Sequence, residues 1–223
     1  MNRLSSRLEA VANYINDNAK VIDIGCDHGL LAIYLVNKYD NISIIASDVN
    51  ENALNSAKNN IKRMHLVDRI DTRLGNGLDV VSANEIDTVV ISGMGANTIV
   101  GILKYAKDKL KFVNDIVIQS NTDLYFLRKN VTSLGYYIDD EVLVLDKGII
   151  YTVIKFSRGK RFYSYRDLYL GPILIRKNDD LFKEKCKKEL MTNKMIIGNI
   201  GKGHYFYKRR IKRNIKILSK IEM

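Results

Sequence analysis

Cysteine, proline and long apolar runs are scarce in this chain, and two of these absences exclude whole classes of protein. The only cysteines, Cys26 and Cys186, are far apart and stand in no Cys-x-x-Cys or Cys/His spacing. A disulfide framework and a zinc site are therefore not expected. No stretch is apolar enough for a secretory signal peptide or a membrane span. We predict a cytoplasmic protein that binds neither metal nor membrane.

The remaining composition is typical of a globular protein. Hydrophobic residues make up 46% of the 223 residues and charged residues 27%, which excludes a disordered or fibrous chain. A chain of this length accommodates one well-buried domain of about 150 residues and a smaller appendage. A packed core is expected.

The positive charge of the chain is concentrated in its last third. Residues 1–154 hold 16 Lys and Arg against 19 Asp and Glu, whereas residues 155–223 hold 20 against 6. Clustered Lys and Arg that neutralise phosphates release counterions and gain affinity for nucleic acid. A polyanionic partner is therefore favoured. The alternatives are a solvated basic helix or the lysine-rich drift of an AT-rich genome.

Short β-branched runs alternate with helix-like stretches through the first 155 residues, a pattern typical of βαβ units in a parallel sheet. The predicted strands are Val21–Ile24, Ile42–Ala46, Ile70–Leu74, Thr88–Ile91 and Ile116–Ile118. The predicted helices are Leu30–Lys38, Glu51–Met64, Asn97–Tyr105 and Asp123–Leu134. An α/β fold follows from this order.

The rhythm changes at residue 137. Two strand-like runs, Tyr137–Leu145 and Ile149–Phe156, are joined by only three residues, which is too short for a parallel crossover. They are predicted to form an antiparallel hairpin. Parallel strands closed by such a hairpin are typical of Rossmann-like methyltransferases, although a fold alone does not establish an activity.

The chain after residue 157 is predicted to form a second, basic domain. A link from Arg158 to Tyr169 precedes Gly171 and the only proline, Pro172, and we place the boundary in this region, giving domains 1–157 and 158–223. Two helices, Asp179–Lys194 and His204–Glu222, follow with a turn over Asn199–Gly203. An antiparallel helical hairpin is the simplest arrangement of these helices.

The strongest local motif is the loop after the first predicted strand, which begins Asp23-Ile24-Gly25-Cys26-Asp27-His28. In a dinucleotide fingerprint the position of Asp27 is a glycine that approaches a pyrophosphate, and a carboxylate there would repel that ligand. S-adenosylmethionine has no phosphate and carries an ammonium and a sulfonium, which suit Asp23 and Asp27, while Gly25 permits close approach. Ordinary turn chemistry is the alternative interpretation of Asp-x-Gly.

Three further loops end predicted strands at the same edge, where ligands of open α/β sheets bind. Asp48, followed by Val49 and Asn50, lies 25 positions after Asp23, near the spacing of about 20 at which an acid reaches ribose hydroxyls. Asp48 or Asn50 also suits the role of helix N-cap. The other loops are Gly75-Asn76-Gly77 and Ser92-Gly93-Met94-Gly95. These residues complete the predicted cofactor site, with Cys26 in its first loop.

Read in order, these motifs resemble the bacterial tRNA (adenine-22-N1)-methyltransferase family, TrmK. The matching segments are Leu4-Ser5-Ser6-Arg7-Leu8, Asp23-Ile24-Gly25-Cys26-Asp27-His28, Arg73-Leu74-Gly75-Asn76-Gly77-Leu78, Gly93-Met94-Gly95 and Gln119-Ser120-Asn121. The family usually has Gly-Met-Gly-Gly and Gln-Pro-Asn where this chain has Ala96 and Ser120. The resemblance implies methylation of N1 of an adenine in the D arm of tRNA, with the helical tail helping to hold the RNA.

Adenine N1 has an in-plane lone pair and no proton, so methyl transfer needs alignment more than a strong base. We therefore predict Asp27 or His28 near the exocyclic amine and Asn121 orienting the base, with Arg7 holding a phosphate or a loop. The predicted RNA contacts of the last helix are Lys208, Arg209, Arg210, Lys212 and Arg213. A monomer is favoured.

Two other functions fit part of this pattern. A methyltransferase of a small molecule would share the cofactor residues but leaves the basic tail unexplained. A non-catalytic RNA-binding module would keep the tail, but Asp23, Gly25 and Asp48 argue against it. Base stacking by Tyr163, Tyr165, Tyr205 and Tyr207 is a weaker interpretation than packing of these aromatic rings on their own domain.

Overall fold

The computed structural model describes residues 4–200 and 204–221 and contains one mixed sheet of seven strands in the order β3-β2-β1-β4-β5-β7-β6. The strands are β1 (Lys20–Ile24), β2 (Ser43–Asp48), β3 (Ile70–Leu74), β4 (Thr88–Met94), β5 (Asp115–Ser120), β6 (Tyr136–Asp146) and β7 (Ile149–Arg158). Strands β1 to β5 pair in parallel, whereas β7 runs antiparallel to both β5 and β6. The predicted sheet closed by an antiparallel hairpin is confirmed.

Helices separate the strands and continue beyond the sheet. In the first part of the chain they are α1 (Ser6–Ala12), α2 (Leu30–Lys38), α3 (Glu51–Arg63), α4 (Ala96–Tyr105) and α5 (Leu124–Ser133), with a 3-10 turn over Lys109–Phe112. After the sheet come α6 (Tyr165–Leu170), α7 (Pro172–Lys177), α8 (Asp180–Asn199) and α9 (Tyr205–Leu218). Every predicted helix is present, with ends shifted by a few residues.

Three helices were not predicted, and the reason is local. Helix α1 is only seven residues long and begins at the N-cap Ser5, whose hydroxyl accepts from the Leu8 amide. Within the predicted link, Ser164 and Asp167 form a reciprocal capping box that starts α6. Pro172 occupies the first position of α7, where its missing N–H costs nothing. The predicted link from Arg158 to Tyr169 therefore contains the start of a helix from Tyr165 onward, which was not predicted.

The sheet places the ends of β1, β2 and β4 side by side. Strand β1 pairs with β2 through Ile24 and Ser47 and with β4 through Ile24 and Ile91. The strands are apolar along most of their length, with Ile22 and Val90 fully buried, as expected for a parallel sheet covered on both faces. A bulge at Gly93 shifts the register between β4 and β5. Such a bulge redirects the chain beside the cavity described below.

The hairpin of β6 and β7 is anchored by polar contacts. Arg128 of α5 and Glu141 of β6 form an ion pair of 2.6 Å with both side chains fully buried. The pairing register of β6 with β7 shifts between Ile138 and Asp140. The backbone N–H of Ile138 donates to the hydroxyl of Tyr163 at 2.9 Å. Tyr163 is therefore engaged in structure, as the packing interpretation of the tyrosines expects.

The chain divides into two compact units, residues 1–163 and 164–223. In the second unit α8 packs against α9, which confirms the predicted helical hairpin. Tyr165 donates to Asn214 at 2.8 Å, and Ile211, Asn214 and Leu218 form the buried side of α9. The predicted turn begins one residue too early, since Asn199 is still helical, and its residues 201–203 lie outside the described part, as does residue 222.

Residues 4–200 and 204–221 contain neither a membrane-spanning helix nor a metal-binding cluster. None of the helices there is long and apolar enough to cross a membrane. Within the same described ranges, no group of three or more His, Cys, Asp or Glu side chains is placed to hold a metal ion.

Candidate active site

A cavity of ≈ 410 Å³ opens where the carboxyl ends of β1, β2 and β4 meet. Its volume falls in the range of about 300 to about 1,000 Å³ found for ligand pockets. Its position at the carboxyl edge of the sheet is where ligands of open α/β sheets bind. The residues that line it are Arg7, Leu8, Asp23, Gly25, Cys26, Asp27, His28, Leu30, Leu31, Asp48, Ser92, Gly93 and Met94.

The loop after β1 brings backbone close to the cavity. The amides of Gly25 and Cys26 both donate to the Ser47 carbonyl, at 2.8 and 3.0 Å. Gly25 has φ +75, and a Cβ at this position would overlap the terminal methyl of Met94. The left-handed backbone conformation favours glycine here, whereas the overlap involves only the end of the flexible Met94 side chain. The space that a side chain on Gly25 would take is occupied by Met94, which itself lines the cavity.

Asp48 ends β2 and is oriented by the backbone around it. One carboxylate oxygen accepts from the Asn50 amide at 2.9 Å and the other from the Asp27 amide at 3.2 Å. Each oxygen of an ionised carboxylate accepts more than one hydrogen bond. Asp48 is therefore held in place while its remaining lone pairs face the cavity, an arrangement suited to the two hydroxyls of a ribose.

Asp23 is an acid buried beside the same cavity, with 4% of its surface exposed. Burial, reinforced by the nearby charge of Asp48, raises the pKa of Asp23 to about 7. A cation bound in the cavity would offset both effects and favour the ionised carboxylate. These residues thus fit S-adenosylmethionine. The carboxylates of Asp23 and Asp27 suit its ammonium, the carboxylate of Asp48 suits its ribose hydroxyls, and Gly25 permits its close approach to the backbone.

Arg7 reaches the cavity from α1 and ties that helix to the sheet. Its Nη1 donates to the Ser92 hydroxyl at 3.0 Å and to Gln119 Oε1 at 2.6 Å. The guanidinium also lies over the Tyr151 ring, 5.6 Å from its centroid. Both acceptors of Nη1 are neutral, so the positive charge remains able to attract an anion. Arg7 thus joins α1 to β4 and β5, and its contact with a phosphate or a loop of the site stays a prediction.

The other two predicted catalytic residues lie near the mouth of the cavity. His28 precedes α2 and is more than half exposed, with Nδ1 2.7 Å from the Ser56 hydroxyl and Nε2 3.6 Å from an Asp27 oxygen. Asn121 follows β5 and is exposed, and its Nδ2 donates to the Gly93 carbonyl at 2.7 Å. His28 lines the cavity, and Asn121 is joined to its wall through Gly93.

Some predicted residues do not line the cavity, and some that do were not predicted. Val49, Asn50, Gly75, Asn76 and Gly77 are absent from the lining. Asn50 is the N-cap of α3, accepting from the amides of Asn52 and Ala53. The lining residues that sequence reasoning missed are Leu8, Leu30 and Leu31. Their apolar side chains carry no chemical signature, although Leu30 and Leu31 begin the helix that follows the glycine loop.

The basic residues of α9 lie on the second unit. Arg209, Arg210, Lys212 and Arg213 are exposed, and Lys208 is half-buried. Arg213 lies 3.6 Å from the ring centroid of Tyr165, and Arg210 lies 5.2 Å from that of Tyr207. These cation–π contacts hold two guanidinium groups flat against the surface. The charge of α9 is therefore displayed to solvent along one helix.

The sequence is similar to that of known proteins over most of its length. The family model TrmK, described as tRNA (adenine(22)-N(1))-methyltransferase, matches residues 21–222. A Bacillus subtilis (strain 168) protein of the same description is 32% identical over 205 residues, covering 89% of this chain and 86% of the relative.

Two solved structures are similar to the full length of the chain. The crystal structure of the B. subtilis m1A22 tRNA methyltransferase TrmK has a TM-score of 0.90 at 27% identity and covers 99% of both chains. Mycoplasma capricolum TrmK in complex with S-adenosyl-homocysteine has a TM-score of 0.83 at 29% identity, covering 97% of this chain and 96% of that one. The predicted fold, enzyme class and cofactor are confirmed. The chain belongs to the tRNA (adenine(22)-N(1))-methyltransferase family.

Proposed function

We propose that this protein transfers a methyl group from S-adenosylmethionine to N1 of adenine 22 in the D arm of tRNA. The observation that carries the proposal is the convergence of Asp23, Gly25 and Asp48 on one cavity at the carboxyl edge of the sheet. The B. subtilis relative that matches 89% of the chain bears the name of this activity. The reaction belongs in the cytoplasm, where tRNA is modified.

The residues that line the cavity divide the cofactor between them. Asp48 accepts hydrogen bonds from the ribose hydroxyls, and Gly25 lets the ligand lie against the backbone. Asp23 and Asp27 face the ammonium, while Gly93 and Met94 form the wall beside the loop after β5. When bound, the cofactor supplies an electrophilic methyl group on a sulfonium.

The chemical demand on the protein is alignment. The N1 lone pair forms the new N–C bond, the S–C bond breaks, and its electron pair stays on sulfur. No proton leaves N1, so no general base is needed, and the positive charge moves from sulfur to the adenine ring. Asp27 and His28 at the cavity mouth then stabilise this charge or accept from the exocyclic amine. Asn121 holds the base edge in register with the methyl group.

The basic helical unit holds the RNA in this proposal. We assign catalysis to the unit of residues 1–163 and RNA contact to the helical unit of residues 164–223. The exposed Arg209, Arg210, Lys212 and Arg213 support this division because phosphate contacts supply most non-specific affinity for RNA. A paired adenine has to leave the stack before N1 is accessible, at a cost of a few kcal/mol. Binding energy from the helical unit offsets that cost.

The direct test is methylation of unmodified bulk tRNA with labelled S-adenosylmethionine, followed by nuclease digestion and mass spectrometry. We expect 1-methyladenosine in the D arm with the wild-type protein and none with Asp23→Ala. The matched control is Asp68→Ala, which removes an exposed acid that does not line the cavity and leaves activity unchanged. Transfer to another nucleoside, or none to tRNA, refutes the proposal.

The role of the helical unit has its own test. The logarithm of the Michaelis constant for tRNA is measured against the logarithm of salt concentration. Each lost phosphate contact lowers the slope by roughly 0.7 to 0.9. Arg209→Ala with Lys212→Ala is expected to lower it by about 1.5 without changing cofactor affinity. A salt-independent reaction would instead favour a small-molecule substrate.

A further inference from the structure

Three hydrogen bonds close a ring beside the cofactor cavity. The Gly93 amide donates to Gln119 Oε1 at 3.0 Å, Gln119 Nε2 donates to Asn121 Oδ1 at 2.9 Å, and Asn121 Nδ2 donates to the Gly93 carbonyl at 2.7 Å. We call this the amide ring. Gln119 is fully buried, whereas Asn121 is exposed and Gly93 lines the cavity.

The orientation of both side-chain amides in the ring is fixed by chemistry. The Gly93 N–H is an obligate donor and so is the Arg7 guanidinium, which donates to the same Gln119 oxygen at 2.6 Å. The oxygen of Gln119 must therefore face them, and its NH2 must face Asn121. The Gly93 carbonyl is an obligate acceptor, so it requires the NH2 of Asn121. No flipped arrangement satisfies all of these groups.

The ring determines what Asn121 presents to a substrate. One lone pair of Asn121 Oδ1 accepts the hydrogen bond from Gln119, and the other remains available to a substrate. Nδ2 donates one N–H to Gly93 and has a second N–H available. An exocyclic amine such as that of adenine can donate to this oxygen. Guanine presents a carbonyl at the equivalent position and meets no donor at Oδ1.

We propose that Gln119 is a positioning residue for methyl transfer: through the amide ring it fixes the polarity of Asn121 and so the selectivity for an adenine amine. Gln119 touches no substrate itself. The inference rests on the proposed function, because it takes Asn121 as the residue that orients the base. The inference adds Gln119, a buried residue, as the group that fixes the orientation of the Asn121 amide.

The replacement Gln119→Glu isolates the proposed effect. A glutamate keeps an oxygen acceptor for the Gly93 amide and for Arg7, with which it forms a stronger charged pair. It loses only the donor toward Asn121, so two oxygens then face each other. Asn121→Ala removes the acceptor from an exposed position and does not endanger folding. Asn37→Asp makes the same amide-to-acid change on the surface of α2, away from the cavity.

The readout is the ratio of kcat/KM for tRNA carrying adenosine at the target position to that for tRNA carrying purine riboside there. Purine riboside keeps N1 but lacks the exocyclic amine. We expect Gln119→Glu to lower this ratio at least tenfold, with the affinity for S-adenosylmethionine unchanged within about twofold, since neither Gln119 nor Asn121 lines the cavity. Asn37→Asp should retain the wild-type ratio.

A double-mutant cycle separates positioning from a merely structural role. If Gln119 acts through Asn121, the double variant loses no more selectivity than Asn121→Ala alone. A wild-type ratio in Gln119→Glu or in Asn121→Ala, or losses that add in the double variant, overturns the inference. If the wild-type protein methylates no tRNA adenine, the proposed function fails as well, so the two failures are distinguishable.

Discussion

Cofactor affinity is expected to depend on pH through Asp23. In the protein without ligand, burial and the nearby Asp48 raise the pKa of Asp23 from 3.8 to about 7. The ammonium of S-adenosylmethionine favours the ionised carboxylate, so binding lowers this pKa and releases a proton. Affinity therefore rises as the pH rises through 7. The ligand amine itself stays protonated below about 7.7.

The magnitude follows from proton linkage. If the bound-state pKa lies well below 5.5, the fall in affinity approaches about tenfold for each pH unit below 7 and amounts to about fifteenfold between pH 7 and pH 5.5. Calorimetric titration across this range gives the dissociation constants. Titrations in two buffers of different ionisation enthalpy give the number of protons released at pH 6, which should approach one.

The variant Asp23→Asn serves as the reference. It should bind weakly and without the pH dependence of the wild type. His28 also lines the cavity and is retained in this variant, so the difference between the two profiles belongs to Asp23. A wild-type affinity that is flat between pH 5.5 and 7, or a slope that survives in Asp23→Asn, would refute the reasoning.

The same group affects stability with the opposite sign. The folded protein binds the Asp23 proton more tightly than the unfolded chain, so this contribution is complete below pH 3.8 and is lost as the pH rises through about 7. Asp23→Asn should therefore unfold at a higher temperature than the wild type at pH 8 in the absence of cofactor. As the pH rises through about 7, Asp23 thus lowers the stability of the free protein and raises the affinity for the cofactor.

Three further predictions concern the sheet and its loops. Gly25→Ala forces a side chain into left-handed backbone, at about 1 to 2 kcal/mol, and moves Met94 into the cavity. We expect calorimetry to show at least a tenfold loss of cofactor affinity. An unchanged affinity would contradict the proposed contact of the cofactor with this loop. Asp48→Asn removes the carboxylate charge that strengthens the hydrogen bonds from the ribose hydroxyls, so cofactor affinity should fall by about 2 kcal/mol, or about thirtyfold. Adenosine keeps the ribose but lacks the ammonium, so an equal loss of adenosine affinity assigns the contact of Asp48 to the ribose. Glu141→Gln removes the carboxylate that faces the buried Arg128, so urea denaturation should show a free energy of unfolding lower by about 3 to 5 kcal/mol. A decrease below about 1 kcal/mol would mean that water reaches this pair.

The sequence was sufficient to predict the sheet and most of the cofactor edge. Most of the parallel strands are short apolar runs, each predicted strand is followed closely by Gly, Asn or Asp, and parallel strands place those ends together. Asp23, Gly25 and Asp48 were therefore predicted correctly to lie near one another. Asn50 was open to two interpretations because the residue after an acid at a strand end is also the natural N-cap of the next helix.

What the sequence did not reveal depends on contacts between distant segments. Gln119 bonds to Arg7 across 112 positions and to Gly93 across 26, and no local pattern indicates such a partner. The short helix α6 did carry a local signal, the pair of Ser164 and Asp167, but the surrounding basic and aromatic residues were interpreted as a link. The lining leucines are ordinary core residues by every sequence criterion.

The contact between Tyr163 and Ile138 also bears on how the protein behaves in a crowded cell. Strand β6 is the last strand of the sheet, and an outermost strand offers unpaired N–H and C=O groups to strands of other molecules. The Tyr163 hydroxyl occupies one of these groups near the start of the strand, at Ile138. Two acids that are not fully buried, Asp139 and Asp140, and a bulge follow at once. The strand that closes the methyltransferase sheet is thereby protected against intermolecular pairing and aggregation.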